Sequence, residues 1–224
     1  MAKIVALIPA GGLGTRLGSR TPKQFLALGG GSILAATVRH FARHPAIDGV
    51  LVAAPAAHVE RATRALHGFW GAVAVVPGGQ TRQESVWLAL RAAPDDADFV
   101  VVHDAVRPFI TRALIDAVVG AARAAGAAIC ALPVTETVKR VRGDEVEATI
   151  DRRGLWIVQT PQAFRADLLR EAHEKARRDG VVGTDDAALV ERLGHPVKVV
   201  RGLEGNLKIT TPEDLRRARR MAAG

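Results

Sequence analysis

Between Leu7 and Gly31 the chain reads LIPAGGLGTRLGSRTPKQFLALGGG, with seven glycines and, as its only charged side chains, Arg16, Arg20 and Lys23. Glycine turns let backbone amides approach an anion, and fixed cations beside them stabilise charge that builds on phosphoryl oxygens. The spacing excludes two familiar phosphate binders. A Walker A loop needs a lysine followed by a hydroxyl residue after its last glycine, and GGLGTRLGSR has none there. A dinucleotide fingerprint needs G-x-G-x-x-G and a carboxylate ending the second strand. Here Gly12 and Gly14 are followed by Gly18, one residue late, and that strand ends LVAAP. What remains is a loop for a reacting polyphosphate, with Arg16 and Lys23 as its cations. A second glycine pair, Gly78 and Gly79 of PGGQ, is either a turn before a helix or a place where the backbone, without Cβ atoms, can come close to a ligand.

Such residues must be carried by a rigid scaffold. Apolar runs bounded by turn residues recur at Ile4 to Ile8, Val50 to Ala54, Ala72 to Val76, Phe99 to Val102, Ala127 to Leu132 and Pro196 to Val200. Between them, helical spacing predicts helices over Ser32 to Arg43, Ala57 to His67, Thr81 to Ala92, Thr111 to Ala125, Arg165 to Arg178, Thr184 to Leu193 and Thr211 to Ala222, with Ser32 and Thr111 as N-caps. Continuous rather than alternating apolar strands imply a sheet covered on both faces. The expected fold class is α/β, a doubly wound, mostly parallel, Rossmann-like sheet, with ligands beyond the carboxyl ends of its strands. The 224 residues fit a single domain over 1–224.

One segment breaks the alternation. Residues 137–149, TVKRVRGDEVEAT, place a Gly143-Asp144 turn between two short arms, which predicts a β-hairpin excursion within residues 137–152. An isolated hairpin is marginal in water, so the arm should lie against something, and self-association is the simplest answer.

Composition narrows the classes. The formal charge of +8 raises nucleic acid as a partner. However, the arginines are scattered over many predicted helices, aromatic residues make up 4% and tyrosine is absent, so a nucleic-acid interface is not expected. RRARR at Arg216 to Arg220 reads as the solvated end of a terminal helix. The longest apolar stretches are broken by charge, so no membrane span is expected, and Lys3 with Ile4 to Ile8 is too short a run for a secretion signal. A cytoplasmic location follows as the expectation. The single cysteine, Cys130, reads as a buried inert thiol.

The opening loop, PAGGLGTR followed by PKQ, resembles that of the cytidylyltransferases of the methylerythritol phosphate pathway. The resemblance continues in order through GGQTRQESV, VVHDAVRPFI, PVTETVKR, DRRGLWIVQTPQAF, GTDDAALVE and NLKITTPEDL, nearly the whole chain. It implies transfer of a cytidylyl group from CTP to methylerythritol phosphate with release of pyrophosphate, aided by Mg²⁺, in a homodimer. By resemblance Arg16 and Lys23 stabilise the transition state, while Arg152 and Lys208 position the acceptor phosphate. Ala10, Gly11, Gly12 and Gly14 lie beside the triphosphate, and Gly79, Gln80, Ser85 and Ala105 contact the nucleotide. Arg107, Thr137, Thr160 and Thr184 serve the sugar phosphate, with Thr137 and Arg152 reaching a partner's site from the arm. The cyclodiphosphate synthase domain fused to some relatives is not expected here.

The reaction explains the missing base. A phosphate monoester has its second pKa near about 6, so the nucleophile is largely ionised at neutral pH and needs cations and orientation instead. HDAVRPFI follows a strongly apolar strand, which makes Asp104 the carboxylate best placed for the ribose or for Mg²⁺. His103 is expected to be a hydrogen-bonded histidine at the strand end rather than an acid or base. His40 and His44 have helical metal-pair spacing without a third ligand, and a cationic helix end is favoured. Arg82 in a first helical turn opposes the dipole, a local conflict that hints at function. Two departures stand out: Gly11 replaces the family's second alanine and should loosen the loop, and Gln80 stands where some relatives carry an acid. A ribitol-5-phosphate cytidylyltransferase is the nearest alternative, and a basic nucleic-acid-binding module the alternative of another class.

Overall fold

The computed structural model describes residues 2–11, 21–69 and 71–223. In chain order the elements are β1 (Ile4–Pro9), β2 (Ala27–Leu28), β3 (Gly31–Ser32), α1 (Ile33–Ala42), β4 (Gly49–Ala54), α2 (Val59–Ala65), β5 (Val73–Pro77), α3 (Arg82–Ala92), β6 (Phe99–Val102), α4 (Arg112–Ala125) and β7 (Ala127–Pro133). There follow β8 (Val138–Arg142), β9 (Glu145–Ile150), β10 (Trp156–Arg165), α5 (Ala166–Arg178), α6 (Asp186–Glu191), β11 (Lys198–Arg201) and α7 (Pro212–Ala223). A seven-stranded sheet runs β11-β7-β10-β6-β1-β4-β5. Every pairing in it is parallel except those of β10, which is antiparallel to both β6 and β7.

The inner strands β1, β4 and β6 and most of β7 are buried on both faces, as their continuous sequence requires, whereas the edge strands β5 and β11 are partly exposed. On β1, Ile4, Ala6 and Ile8 pack into one cluster with Leu34, Val38 and Phe41 of α1 and Ile115 and Val118 of α4. Val5 and Leu7 face the opposite layer, with Val86 and Leu90 of α3 and Leu169 and Ala172 of α5. The alternation follows the two-residue period of a strand, and it puts helices on both sides of the sheet. Start signals are satisfied locally: the hydroxyls of Ser32, Thr81 and Thr111 accept from the amides of Ala35, Glu84 and Leu114. Each such cap contributes about 1 kcal/mol. At the other end of α4, Gly126 adopts φ +85, the left-handed stop that glycine supplies without strain.

Three expectations change. The Ala57–His67 helix is shorter, because Ala56–His58 and His67–Phe69 form 3₁₀ turns around α2. The Thr184–Leu193 helix begins later: Asp185 is the cap, accepting from Ala188 N–H, and α6 covers Asp186–Glu191. β10 is a strand that the local sequence does not announce. It contains Pro161, which cannot donate to a ladder, and the register shifts between Gln159 and Gln162 to accommodate it.

The hairpin forms as expected. β8 and β9 pair antiparallel with Val138 opposite Ile150, turning at Gly143 with φ +65. Val141 and Val146 on it are 53% and 61% exposed, and Leu155, Trp156, Ile157 and Val158 continue the exposed apolar surface onto the start of β10.

Candidate active site

The carboxyl ends of β1, β4, β5 and β6 lie side by side, and the loops leaving them build the site. Ala10 N–H donates to Ala53 O at 2.8 Å, and Gly78 N–H to Ala54 O at 2.7 Å, which ties the β1 and β5 exits to β4. The carbonyl of Ala10 accepts from Nε2 of buried Gln24 at 2.6 Å. Gly11, Gly78 and Gly79 gather around the first turn of α3. There the buried hydroxyl of Ser85 donates to Thr81 O at 2.9 Å and accepts from Gly79 N–H at 3.2 Å. A Cβ on Gly78 would stand 3.2 Å from the carbonyl of Ala53, and one on Gly11 2.9 Å from Ser85 Oγ. Gly11 therefore sits in a tight packing position, where the sequence suggested mainly a looser loop. Ser85 is a prop beneath that loop.

Asp104 follows β6. Its amide donates to Thr160 Oγ1 at 3.1 Å, which fixes the carboxylate against β10. Oδ1 accepts from Arg82 Nε at 3.1 Å, while Oδ2 meets Lys208 Nζ at 2.8 Å and Arg107 Nε at 3.4 Å. Burial opposes the charge, but Arg82, Lys208 and Arg107 together outweigh it and hold the Asp104 carboxyl well below the usual carboxylate range. Arg107 Nη1 also donates to Asn206 O at 2.8 Å, and Asn206 Nδ2 to Thr160 O at 2.8 Å. Gln159 joins the same network by accepting from Asn206 Nδ2 on its Oε1 at 3.3 Å, and its Nε2 donates to Leu203 O at 2.9 Å.

Arg82 is held from behind as well. Its Nη1 donates to Asp186 Oδ2 at 2.7 Å, and Asp186 Oδ1 contacts His173 Nε2 at 3.0 Å. Burial works against the Arg82 charge, yet Asp186 and Asp104 more than restore it and raise its pKa above the ordinary value. This offsets the dipole conflict of a cation at the start of α3.

Two cavities meet at this cluster. One, of about 250 Å³, is lined by Ala10, Gly11, Lys23, Gln80 and Ala105. The other, of about 370 Å³, is lined by Arg107, Thr160, Gln162 and Thr184. Arg82, Asp104 and Lys208 belong to both. Gly79 does not line the first but lies behind Gly11, its carbonyl 3.5 Å from where a Cβ on Gly11 would stand. Thr137 and Arg152 line neither; both are exposed at the root of the arm, where Arg152 donates to Thr135 O. Gly12, Gly14 and Arg16 lie outside the described residues.

His103 is wholly buried, with Nε2 at 3.0 Å from Arg107 O, and burial pushes its pKa down to about 4. It is a neutral packing group. His40 contacts Pro108 O and His44 contacts Asp116, so the two do not form a pair, and the described residues contain no cluster of three metal-ligating side chains. Cys130 is buried with Sγ 3.3 Å from Pro161 O, and burial raises its thiol to about 12. Arg216, Arg217, Arg219 and Arg220 are exposed on α7. No described helix is long and apolar enough to cross a membrane.

Sequence reasoning leaves Gln24, Asp186, His173, Gln159 and Asn206 without a role and gives Arg82 only a hint. For Arg82 the signal is legible, a cation where the dipole disfavours one. The others act through pairings across 13 to 104 residues, which no local pattern reveals.

Chemically, the arrangement offers backbone amides, Lys23, Arg82, Arg107 and Lys208 around two adjoining spaces, suited to bringing two anions together. The family described as 2-C-methyl-D-erythritol 4-phosphate cytidylyltransferase matches residues 4–222. A relative of that name from Symbiobacterium thermophilum is 49% identical over 217 residues, covering 96% of this chain and 91% of the relative. One from Desulforamulus reducens is 48% identical, covering 96% and 94%. The crystal structure of the same-named protein from Thermus thermophilus superposes with a TM-score of 0.82 at 38% identity, covering 99% and 100%. The structure of 4-diphosphocytidyl-2C-methyl-D-erythritol synthase from Anaerococcus prevotii superposes at 0.88 and 30%, covering 100% and 99%.

Proposed function

The chain belongs to the 2-C-methyl-D-erythritol 4-phosphate cytidylyltransferase family, and on that premise we infer its reaction and the division of labour in its site. It is a nucleotidyltransferase of non-mevalonate isoprenoid precursor synthesis. It transfers the cytidylyl group of CTP to 2-C-methyl-D-erythritol 4-phosphate, giving 4-diphosphocytidyl-2-C-methyl-D-erythritol and pyrophosphate. The observation that carries the division of labour is the shared wall: Arg82, Asp104 and Lys208 face both cavities, so two anionic reactants placed in them meet at one cationic junction.

CTP occupies the cavity of Ala10, Gly11, Lys23, Gln80 and Ala105, and the acceptor phosphate that of Arg107, Thr160 and Thr184. An acceptor phosphate oxygen attacks the α-phosphorus, the bond from that phosphorus to the bridging oxygen breaks, and pyrophosphate leaves with the bridging electron pair. Lys23 and Arg16 stabilise the charge that builds on the α-phosphoryl oxygens, and Lys208 orients the incoming phosphate. No proton has to be removed by the protein, in keeping with the buried, neutral His103.

Asp104 is the carboxylate both cavities share, and its oxygens already bind three cations. These residues fit a Mg²⁺ that arrives on the triphosphate and keeps phosphate and water ligands, rather than a protein cage. When bound, Mg²⁺ would neutralise phosphate charge and orient the triphosphate.

A homodimer supplies what the two cavities lack. The exposed valines of the arm and the apolar start of β10 form a surface for a second copy, whose Thr137 and Arg152 then reach the acceptor. The reading also includes a cytoplasmic enzyme that functions as one unit over residues 1–224 without nucleic acid or membrane.

The deciding experiment supplies Mg²⁺ and CTP with either 2-C-methyl-D-erythritol 4-phosphate or ribitol 5-phosphate and measures pyrophosphate. Release with the first and little with the second is expected. The reverse would identify the pentitol enzyme, and tight salt-sensitive nucleic-acid binding without turnover would sink both.

A further inference from the structure

Asp104 has three cationic partners, but they are not equally free to leave it. The Lys208 side chain is 41% exposed, and Nζ can swing on four methylenes. The Arg82 side chain is 30% exposed and spans two carboxylates, with Nε on Asp104 and Nη1 on Asp186. Asp186 is itself 1% exposed, and its second oxygen lies 3.0 Å from Nε2 of fully buried His173. The His173 ring stacks on Trp87 of α3, centroids 6.2 Å apart and planes at 14°, and Arg177 of α5 caps the indole at 5.5 Å. The series His173, Asp186, Arg82, Asp104 thus joins α5, α6, α3 and the β6 exit, and both its carboxylates are buried.

Resting on the site assignment above, we propose that Arg82 is a positioning residue that keeps Asp104 in place when the incoming phosphate draws Lys208 away, and that the Asp186–His173 pair is the anchor holding Arg82 to that task. In the resting site Asp104 holds Lys208 at 2.8 Å. A phosphate dianion is the stronger attractor for that ammonium. Once Lys208 turns to it, Oδ2 keeps only the long 3.4 Å contact with Arg107 among these three partners, and the Arg82 bond to Oδ1 becomes the main restraint. An arginine free to rotate could follow the phosphate too. Asp186 prevents this, and a hydrogen bond to a buried charged group resists loss far more than an exposed one. Acceptor binding then releases Lys208 without disturbing the carboxylate that serves the nucleotide.

The test compares Asp186→Asn, His173→Leu and His173→Gln with the full-length wild type. CTP and acceptor are varied separately in turnover, and the Kd for CTP with Mg²⁺ is measured by calorimetry with and without inorganic phosphate in the acceptor's place. Losing one charge-assisted bond predicts that Asp186→Asn raises the KM for CTP at saturating acceptor, and the Kd for CTP with phosphate present, about tenfold, while the Kd for CTP alone, with Lys208 still on Asp104, moves much less. The KM for the acceptor should stay within about twofold, a split that general loosening of the fold would not produce. His173→Leu should follow in the same direction. His173→Gln, whose amide can still donate to Asp186, should recover most of the loss. In an Arg82→Gln background, Asp186→Asn should add nothing further. Unchanged CTP affinity with phosphate present, equal damage to both substrates, or full additivity with Arg82→Gln would overturn the proposal. If Asp186→Asn does not fold, the two His173 variants decide. Because the calorimetric arm with inorganic phosphate needs no turnover, it still reads the anchor if wild-type turnover with 2-C-methyl-D-erythritol 4-phosphate fails, and that failure would count against the site assignment alone.

Discussion

Lys23 lines the cavity assigned above to CTP and Asp104 the wall between the two cavities, so on that assignment their charges serve different tasks. Removing one preorganised cation from a developing phosphoryl charge costs roughly a hundredfold in rate, so Lys23→Ala should lower kcat by about that factor with the fold intact by circular dichroism. The pH dependence of rate should come from the substrate. With Asp104 held well below the usual range and His103 at about 4, the acid limb of kcat/KM should follow the acceptor phosphate near about pH 6 and persist in His103→Gln. His103 instead governs stability. Its folded pKa of about 4 lies below the ordinary 6.5, so the neutral ring stabilises the fold fully above pH 6.5, and that contribution drains away as pH falls towards 4. The loss amounts to roughly 3 kcal/mol at most. Half-buried His40, also shifted down chiefly by burial, adds in the same direction. Urea midpoints measured from pH 7 to 4.5 should fall less steeply in His103→Gln. At this scale the sequence was informative wherever chemistry and local position conflict, as at Arg82, and silent where a partner arrives from afar, as Asp186 does.

Among elements, the loops that leave the strands line the cavity assigned above to CTP. Gly78 packs its backbone against Ala53, and a Cβ there would have to displace main chain at 3.2 Å. Gly78→Ala should therefore raise the KM for CTP about tenfold or more while barely changing that for the acceptor, since displacement by a fraction of an ångström is costly only on the side that moves. The parallel strands and capped helices were legible because continuous Val, Ile and Ala runs and Ser or Thr caps are local signals. β10 was not, since Gln159, Pro161 and Gln162 interrupt its apolar pattern and the strand is defined by its two neighbours rather than by its own composition. The arm was visible from its glycine turn, but what it lies against was not, because hairpin sequence encodes pairing and not the partner.

For the whole molecule, the consequence of a composite site is arithmetic. If each site takes Lys23 from one protomer and Arg152 from the other, Lys23→Ala and Arg152→Ala chains mixed one to one form heterodimers with one intact site. Random pairing then restores roughly a quarter of wild-type turnover from two nearly inactive parents. Activity no greater than the mean of the parents would place Arg152 in its own protomer's site. Deleting residues 138–150 should give monomers with impaired turnover, read by light scattering and pyrophosphate release. The sheet also has a history as a growing chain. β6 and β7 are not paired with each other in the sheet, and β10 lies between them. During synthesis the first four-stranded unit, β5-β4-β1-β6, can assemble while its apolar FVVV edge waits for residues 156–165 to emerge. A ribosome pause in that interval leaves an open, sticky edge, so nascent chains arrested before Trp156 should be the ones that chaperones capture and that aggregate when released.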